Sequence, residues 1–316
     1  MWRYALRRLS FLPLIIVVVS IITFVLLRVL PGQDPAILMA GQNATPENVE
    51  AIHAELGLDR PIAVQYFNWM GDVLRGDLGT TYQGKQDILS EVKRRFPASA
   101  ELVVLSLAMS AVIGVSFGVL SAVKRNTPID YAVRLFAVAG QSIPDFFLLV
   151  MLIVIPSVLW NYAAPGGGYV AFWDDPMRNI RMYGPPSIVL GIGGAAGIMR
   201  LQRTTMLEVM RSDYVRTARA KGLSSPTVIL AHAFRNTLAP LVTILGTSFT
   251  LVFAGSAVAE VILSIDGLGV FFLQKALQRD FPVVQFLVLY TATVVVIANL
   301  IVDLSYAWID PRVQYR

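Results

Sequence analysis

Six apolar, nearly uncharged stretches govern what this chain can become: Leu9–Leu30, Ser99–Val123, Tyr131–Trp160, Pro186–Met206, Thr237–Leu263 and Pro282–Trp308. A helix needs ~20 apolar residues to cross the hydrocarbon of a bilayer, and each stretch supplies them. No water is available there to bond the backbone, so runs of this length specify transmembrane helices. Only 15% of the residues are charged, against about 25% in soluble domains. The expected fold class is an all-α integral membrane protein with six spans. The first stretch follows Arg3, Arg7 and Arg8 and imitates a secretory signal. It exceeds the roughly 7–15 apolar residues of such a signal and has no small-x-small cleavage site before Pro31.

Basic residues in alternate loops set the orientation. Leaving out the long segment 31–97, one side carries fourteen Lys and Arg and the other four. The richer side, which includes both termini, is expected to be cytoplasmic. The pI near 9.5 therefore reports topology rather than affinity for nucleic acid. With no cysteine there is no disulfide framework, thiolate metal site or cysteine nucleophile. Two histidines, His53 and His232, are too few for an imidazole-rich metal centre. His53 reads as a solvated residue on a helix flank, and His232 as a packing or interface residue.

Segment 31–97 reads as an external helical cap. Thr45 can cap a helix that opens at Pro46 and stops at Gly57; a second runs from near Pro61 to Gly76, and a third from about Asp87 to Arg95. The organisation expected is a first helix plus cap over residues 1–98, and a five-helix core over 99–316 with a cytoplasmic loop at 200–236.

Two glycine motifs are decoys. Gly79-x4-Gly84-Lys85 has Gln86 where a phosphate-binding loop needs Ser or Thr, and it lies on the external side. Gly191-x-Gly193-x-x-Ala196 has no preceding strand and sits inside a span, where small residues permit close helix packing, within the chain or against a partner. Ionisable residues inside spans are expensive and point to function: Asp145, Glu260 and Asp303 are the candidates. Asp145 follows Pro144, where a proline interrupts the helix, so Gln141, Ser142 and Asp145, with Glu260, are the candidate lining of a translocation path. Glu260 and Asp303 lie near span ends and also suit structural roles.

Residues 200–236 hold seven basic residues between the fourth and fifth spans. Leu207, Met210, Tyr214 and Ala218 fall at helical spacing with Arg216 opposite; the helix stops at Gly222, and Ser224 or Ser225 can cap a new helix at Pro226. A capped helix–turn–helix elbow is expected to project into the cytoplasm. Meeting anionic lipid would explain its charge but not the abrupt glycine break.

The run Asp213-Tyr214-Val215-Arg216-Thr217-Ala218-Arg219-Ala220-Lys221-Gly222-Leu223, followed by His232-Ala233-Phe234-Arg235-Asn236 and Pro240, resembles the cytoplasmic loop of bacterial ABC importer permeases, in particular the dipeptide/oligopeptide branch. The likeness extends through Leu30-Pro31-Gly32 with Asp34-Pro35, Leu56-Gly57-Leu58-Asp59, Gly76-Asp77-Leu78-Gly79, Gly267-Leu268-Gly269, Arg279-Asp280-Phe281-Pro282, and Asp303 with Tyr306, Asp310, Pro311 and Arg312. Gln33 is an insertion in the first of these turns, Arg216 replaces the family's acidic residue, and Pro165–Met182 matches no pattern. The resemblance implies a coupling helix, with Asp213, Tyr214, Arg216, Ala218, Lys221, Gly222, Leu223, Ser224 and Ser225 facing a cytoplasmic ATPase subunit. It also implies a second homologous permease subunit, two ATPases that use ATP and magnesium, and an external solute-binding protein that docks near Glu47, Glu50, Gly267, Gly269 and Asp280. The chain itself would hold no cofactor or metal and perform no catalysis. Di- or oligopeptides are the expected solutes, with oligosaccharides, glutathione-like peptides and nickel chelates as alternatives. A secondary transporter would be expected to show internal repeats, and an intramembrane enzyme a nucleophile–base pair or clustered ligands; neither pattern is evident.

Overall fold

The computed structural model describes residues 2–29, 34–40, 44–161 and 168–309. The Leu30–Gln33 turn, Pro165–Gly167 and the Asp310–Arg316 end lie outside the described residues, as do the side chains of Arg3, Arg7, Arg8 and Tyr306. The described chain is nearly all helical: α1 Trp2–Val29, α2 Pro35–Ala40, α3 Pro46–Leu56, α4 Ile62–Arg75, α5 Ile88–Val123, α6 Pro128–Ser142 and α7 Asp145–Trp160 come first. Then follow α8 Pro176–Val209, α9 Asp213–Ala220, α10 Ser225–Thr227, α11 Leu238–Leu263, α12 Leu268–Leu277 and α13 Phe281–Ile309. Four helical runs are long and apolar enough to cross a membrane, Ile88–Val123, Pro176–Val209, Ser225–Leu263 and Phe281–Ser305, and a fifth arises if α6 and α7 count as one bent span. The apolar described part of α1, Leu12–Arg28, is a shorter helix by the same measure.

Several boundaries differ from expectation. The third cap helix is not separate: Ile88 opens a 36-residue helix that continues through Pro97. The fourth span begins at Pro176 and runs through Pro185 and Pro186. An interior proline removes one ladder bond, and in a bundle neighbouring groups can meet the freed carbonyl. The interruption expected at Pro144 is a full bend, with α6 and α7 meeting at 93°. Pro144 has no amide to donate and holds Ile143 in extended backbone (φ −96°, ψ 122°).

The chain forms two compact units, Ala98–Asp266 with Ala298–Arg316, and Trp2–Pro97 with Gly267–Ile297. In the first, α8 is central. Of its buried side chains, Tyr183 and Leu190 pack with Leu102 of α5, Leu149 of α7 and Ala259 of α11, Ala196 and Met199 with Val133 and Ala137 of α6, and Met206 with Ala122 of α5 and Ala233. The glycine run makes this approach possible. A Cβ on Gly191 would lie 2.6 Å from the Met109 Cβ, and one on Gly114 of α5 would lie 2.6 Å from the Ile198 Cβ. Ser110 of α5 donates its hydroxyl to the Gly191 carbonyl at 3.1 Å. The small residues thus join α8 to α5 of the same chain, where packing and interhelical hydrogen bonds replace the absent hydrophobic drive.

In the second unit the cap is pinned to α1. Ser20 shares a 2.7 Å hydrogen bond with the Tyr66 hydroxyl, Phe24 packs edge-on to Tyr66, and Arg28 donates to Gln65 at 3.0 Å. Helix α3 is capped by the Thr45 hydroxyl on the Asn48 amide and ends at Gly57 in the left-handed region. Val73, Ile88, Val92, Phe271, Val283 and Leu287 form a second core.

Candidate functional site

The elbow begins where α8 ends. Val209 closes α8, Met210–Ser212 turn, and α9 starts at Asp213. The apolar stripe expected across Leu207, Met210, Tyr214 and Ala218 is therefore divided between two helices. Helix α9 buries Val215 and Ala218 against Val228 and Val209, and Tyr214 is exposed. Sequence spacing missed Val215 because the turn at 210–212 resets the helical phase. The helix stops as its sequence dictates: the Lys221 and Gly222 amides donate to the Thr217 and Arg219 carbonyls at 3.0 and 2.9 Å, and Gly222 adopts φ +78°. Every residue from Arg219 to Thr227 is exposed, a tip that presents Lys221, Gly222, Leu223, Ser224 and Ser225 together. Among the described residues Arg216 pairs only with its exposed neighbour Asp213, at 3.4 Å, a contact of little energetic weight.

Ser224 occupies the N-cap of the returning helix, but its hydroxyl meets the Thr227 hydroxyl at 2.8 Å instead of a backbone amide. The return continues through a π turn, Val228–Ala233, and a 3₁₀ turn, Phe234–Thr237, into α11. The Phe234 amide reaches five residues back to the Ile229 carbonyl. Pro240 follows in the first turn of α11, where it has no intrahelical donor to lose. His232 lies within the π turn, and its carbonyl accepts from the Asn236 side chain at 2.7 Å.

Above the elbow, Arg203 of α8 forms a fork with Asp130 of α6, Nε to Oδ1 and Nη2 to Oδ2, both at 3.0 Å. The Ser121 hydroxyl donates to the same carboxylate, and the Asn126 amide adds a 3.0 Å bond. Asp130 is fully buried. This clasp ties α5, α6 and α8 together immediately before the elbow, and sequence reading missed it because Asp130 and Arg203 are 73 residues apart.

The break between α6 and α7 opens a cavity of about 430 Å³. Gln141 and Asp145 line it, together with Gly193 and Gly194 of α8 and Leu251 and Val252 of α11. Asp145 rests against Gly193, where any Cβ would strike its carboxylate. Ser142 is not part of the lining; its hydroxyl turns back to the Val138 carbonyl at 2.8 Å. Glu260 is buried near the end of α11 and is likewise absent from this lining.

The proposed docking residues separate by burial. Glu47 and Glu50 are exposed on α3. Gly267 is buried and Gly269 half-buried. Asp280 is buried as well: its Oδ2 accepts the Tyr82 amide at 3.0 Å and lies 3.5 Å from the Lys275 Nζ. Burial pushes the Asp280 carboxyl above its ordinary value even against Lys275 and the Tyr82 amide. The exposed part of this region belongs to Phe272, Leu273, Gln274, Leu277, Gln278 and Arg279. His53 is half-buried rather than solvated, its Nε2 2.8 Å from the Asp34 Oδ2. Although burial works the other way, the His53 bond and the Ala36 amide hold Asp34 below the usual carboxylate range. The Gly79–Lys85 motif is a tight turn closed by the Thr80–Asp87 bridge and the Thr81 amide on the Gln86 carbonyl at 2.9 Å.

Comparison with known proteins agrees with this architecture. A provisionally named peptide transport system permease protein of Brucella abortus (strain 2308) is 39% identical over 310 residues, 98% of each chain. The dipeptide transport system permease protein DppB of Escherichia coli (strain K12) is 36% identical over an alignment covering 100% of both. An inward-facing structure of the MetNI methionine ABC transporter superposes with a TM-score of 0.52 at 19% identity, covering 69% of this chain and 96% of that one, which establishes the fold alone. Residues 1–103 match the N-terminal part of binding-protein-dependent transport system membrane components. Residues 114–315 match the inner membrane component itself, and the chain belongs to this binding-protein-dependent transport family.

Proposed function

We propose that this chain is the permease subunit of an ATP-driven importer for di- or oligopeptides. The observation that carries the reading is the elbow: a short helix seated on the bundle by Val215 and Ala218, followed by nine successive exposed residues at a glycine-stopped tip. Such a tip suits a groove on a cytoplasmic ATPase. Relatives named for peptide transport, similar across the whole chain, support the solute class. ATP and magnesium act on two partner ATPases, and this chain holds no cofactor. A second homologous permease subunit completes the pathway, most simply as a heterodimer, and the 99–316 core undergoes alternating access within it. Gln141 and Asp145 are assigned to the path, while Glu47 and Glu50 on the 1–98 cap, with the exposed residues of the 267–280 segment, are assigned to the binding protein.

The same reading places six spans in the bacterial inner membrane with both termini cytoplasmic: α1, α5, the α6–α7 pair, α8, the 225–263 run and α13. Reporter fusions after Arg125 and Arg235 should read cytoplasmic, and fusions near Gly84 and Met177 external. An external signal at Arg235 would overturn the topology and, with it, the role of the elbow.

Charge reversal at Glu47 or Glu50 should slow association of the binding protein, with a smaller effect as salt rises, because rim charges steer encounter more than they hold a complex. Surface plasmon resonance on the assembled transporter measures this directly, and a salt-independent defect would contradict electrostatic steering.

A further inference from the structure

We propose that Asp145 and the open end of α6 form a transient site for a primary ammonium group of the transported solute. The proposal rests on the importer reading above and names the chemistry its pathway recognises. Irregular backbone is tolerated at membrane depth where it is buried in protein or lines a cavity, and the Ile143–Pro144 break borders the 430 Å³ cavity. Helix α6 points its carbonyl end at that break. The Gly140 carbonyl has lost its helical donor, because the residue four positions on is Pro144. The last turn of a helix carries partial negative charge.

Asp145 adds a carboxylate at the same place, as the first residue of α7. Among the described residues Asp145 has no hydrogen-bond or ion-pair partner, and no Lys, Arg or His lines the cavity. Two negative features from different helices thus face a space without a cation. That space is far larger than a bare metal ion needs and falls within the ~300–1,000 Å³ range of small-molecule sites. Primary ammonium is the cation that peptides carry at their amino terminus, and it donates three hydrogen bonds, enough for a carboxylate and freed carbonyls together.

Gly193 supplies a second handle on the same site. A methyl group there would collide with the Asp145 carboxylate and displace it without removing its charge. Gly197, one turn along the same helix, would bring a Cβ no closer than 3.9 Å to the Ile244 side chain, so it serves as the control.

The test is uptake of radiolabelled trialanine by proteoliposomes containing the full transporter and its binding protein, with ATP hydrolysis measured in parallel. Asp145→Asn, which keeps shape and hydrogen bonding but not charge, should reduce uptake about tenfold or more, the cost of a lost charge-assisted bond. ATP hydrolysis stimulated by the loaded binding protein should be retained. Gly193→Ala should follow Asp145→Asn, Asp145→Glu should recover part of the uptake, and Gly197→Ala should match the unaltered complex. Normal uptake by Asp145→Asn would overturn the proposal alone. Parallel loss of uptake and ATP hydrolysis would reduce Asp145 to a structural residue and overturn it too. A sodium or potassium requirement that Asp145→Asn abolishes would assign the site to a metal ion. Failure of the unaltered complex to take up trialanine would remove the peptide reading, and this proposal with it.

Discussion

Gly222→Val should yield a transporter that sheds its ATPase subunits or hydrolyses ATP without moving solute, while its spans insert normally. The reason is backbone strain alone. Nothing lies within 4 Å of a Cβ built on Gly222, yet its φ of +78° is one that side-chain-bearing residues rarely adopt. Leaving the left-handed region relieves a cost of roughly 1 kcal/mol or more, and β-branching makes valine worse than alanine. Relaxation would break the Gly222 and Leu223 amide bonds to the Arg219 and Ala218 carbonyls and re-aim the exposed tip. Asparagine, which tolerates the left-handed region, should be milder. Ser224→Ala should be mild as well, since its hydroxyl caps no amide. Reconstituted transport and ATP hydrolysis decide the matter, and intact coupling in Gly222→Val would show that this tip does not transmit ATP-driven motion.

The second large effect is expected at the clasp. Among the described residues, Arg203→Gln leaves the fully buried Asp130 carboxylate with only the Ser121 hydroxyl, the Asn126 amide and Arg134, whose Nε is 3.5 Å away. Removing one member of a buried pair costs about 3–5 kcal/mol, and the partial exposure of Arg203 argues for the lower end. Asp130→Asn should cost less, because the arginine it strands can reach water. The double variant should be more stable than the sum of the two single losses implies. Thermal unfolding of the purified complex measures all three, and an Arg203→Gln melting curve that overlays the unaltered one would show the pair to be energetically idle.

The features legible in the sequence were those encoded within a few residues. Thr45-Pro46, Gly57, Gly76 and Gly222 each specify a start or stop through local hydrogen bonding or φ, and each behaves so here. Apolar length marked the helical runs. What could not be read depends on partners distant in sequence. Pro97, Pro185 and Pro186 look like breaks in isolation, but the surrounding bundle keeps their helices continuous. Pro144 breaks its helix as its sequence implies, but the cavity beside Asp145 forms only because α8 and α11 supply the rest of its lining. The site residues divide in the same way. Gly222 was readable from its position after a helical run, whereas the burial of Asp280 and the Arg203–Asp130 fork arise only when distant segments meet.

The succession of a π turn at Val228–Ala233 and a 3₁₀ turn at Phe234–Thr237 bears on how rotation passes along the chain. A π turn is underwound relative to an α-helix and a 3₁₀ turn overwound, so their angular errors oppose each other. Val228 can therefore face α9 while Leu241, well beyond both turns, keeps its place on the buried side of α11. Interchange of turn type within this stretch would swivel the elbow about the helix axis without severing the rod, giving the junction the character of a torsional bearing. A rod of uniform pitch would lock the angular position of the tip to that of the span.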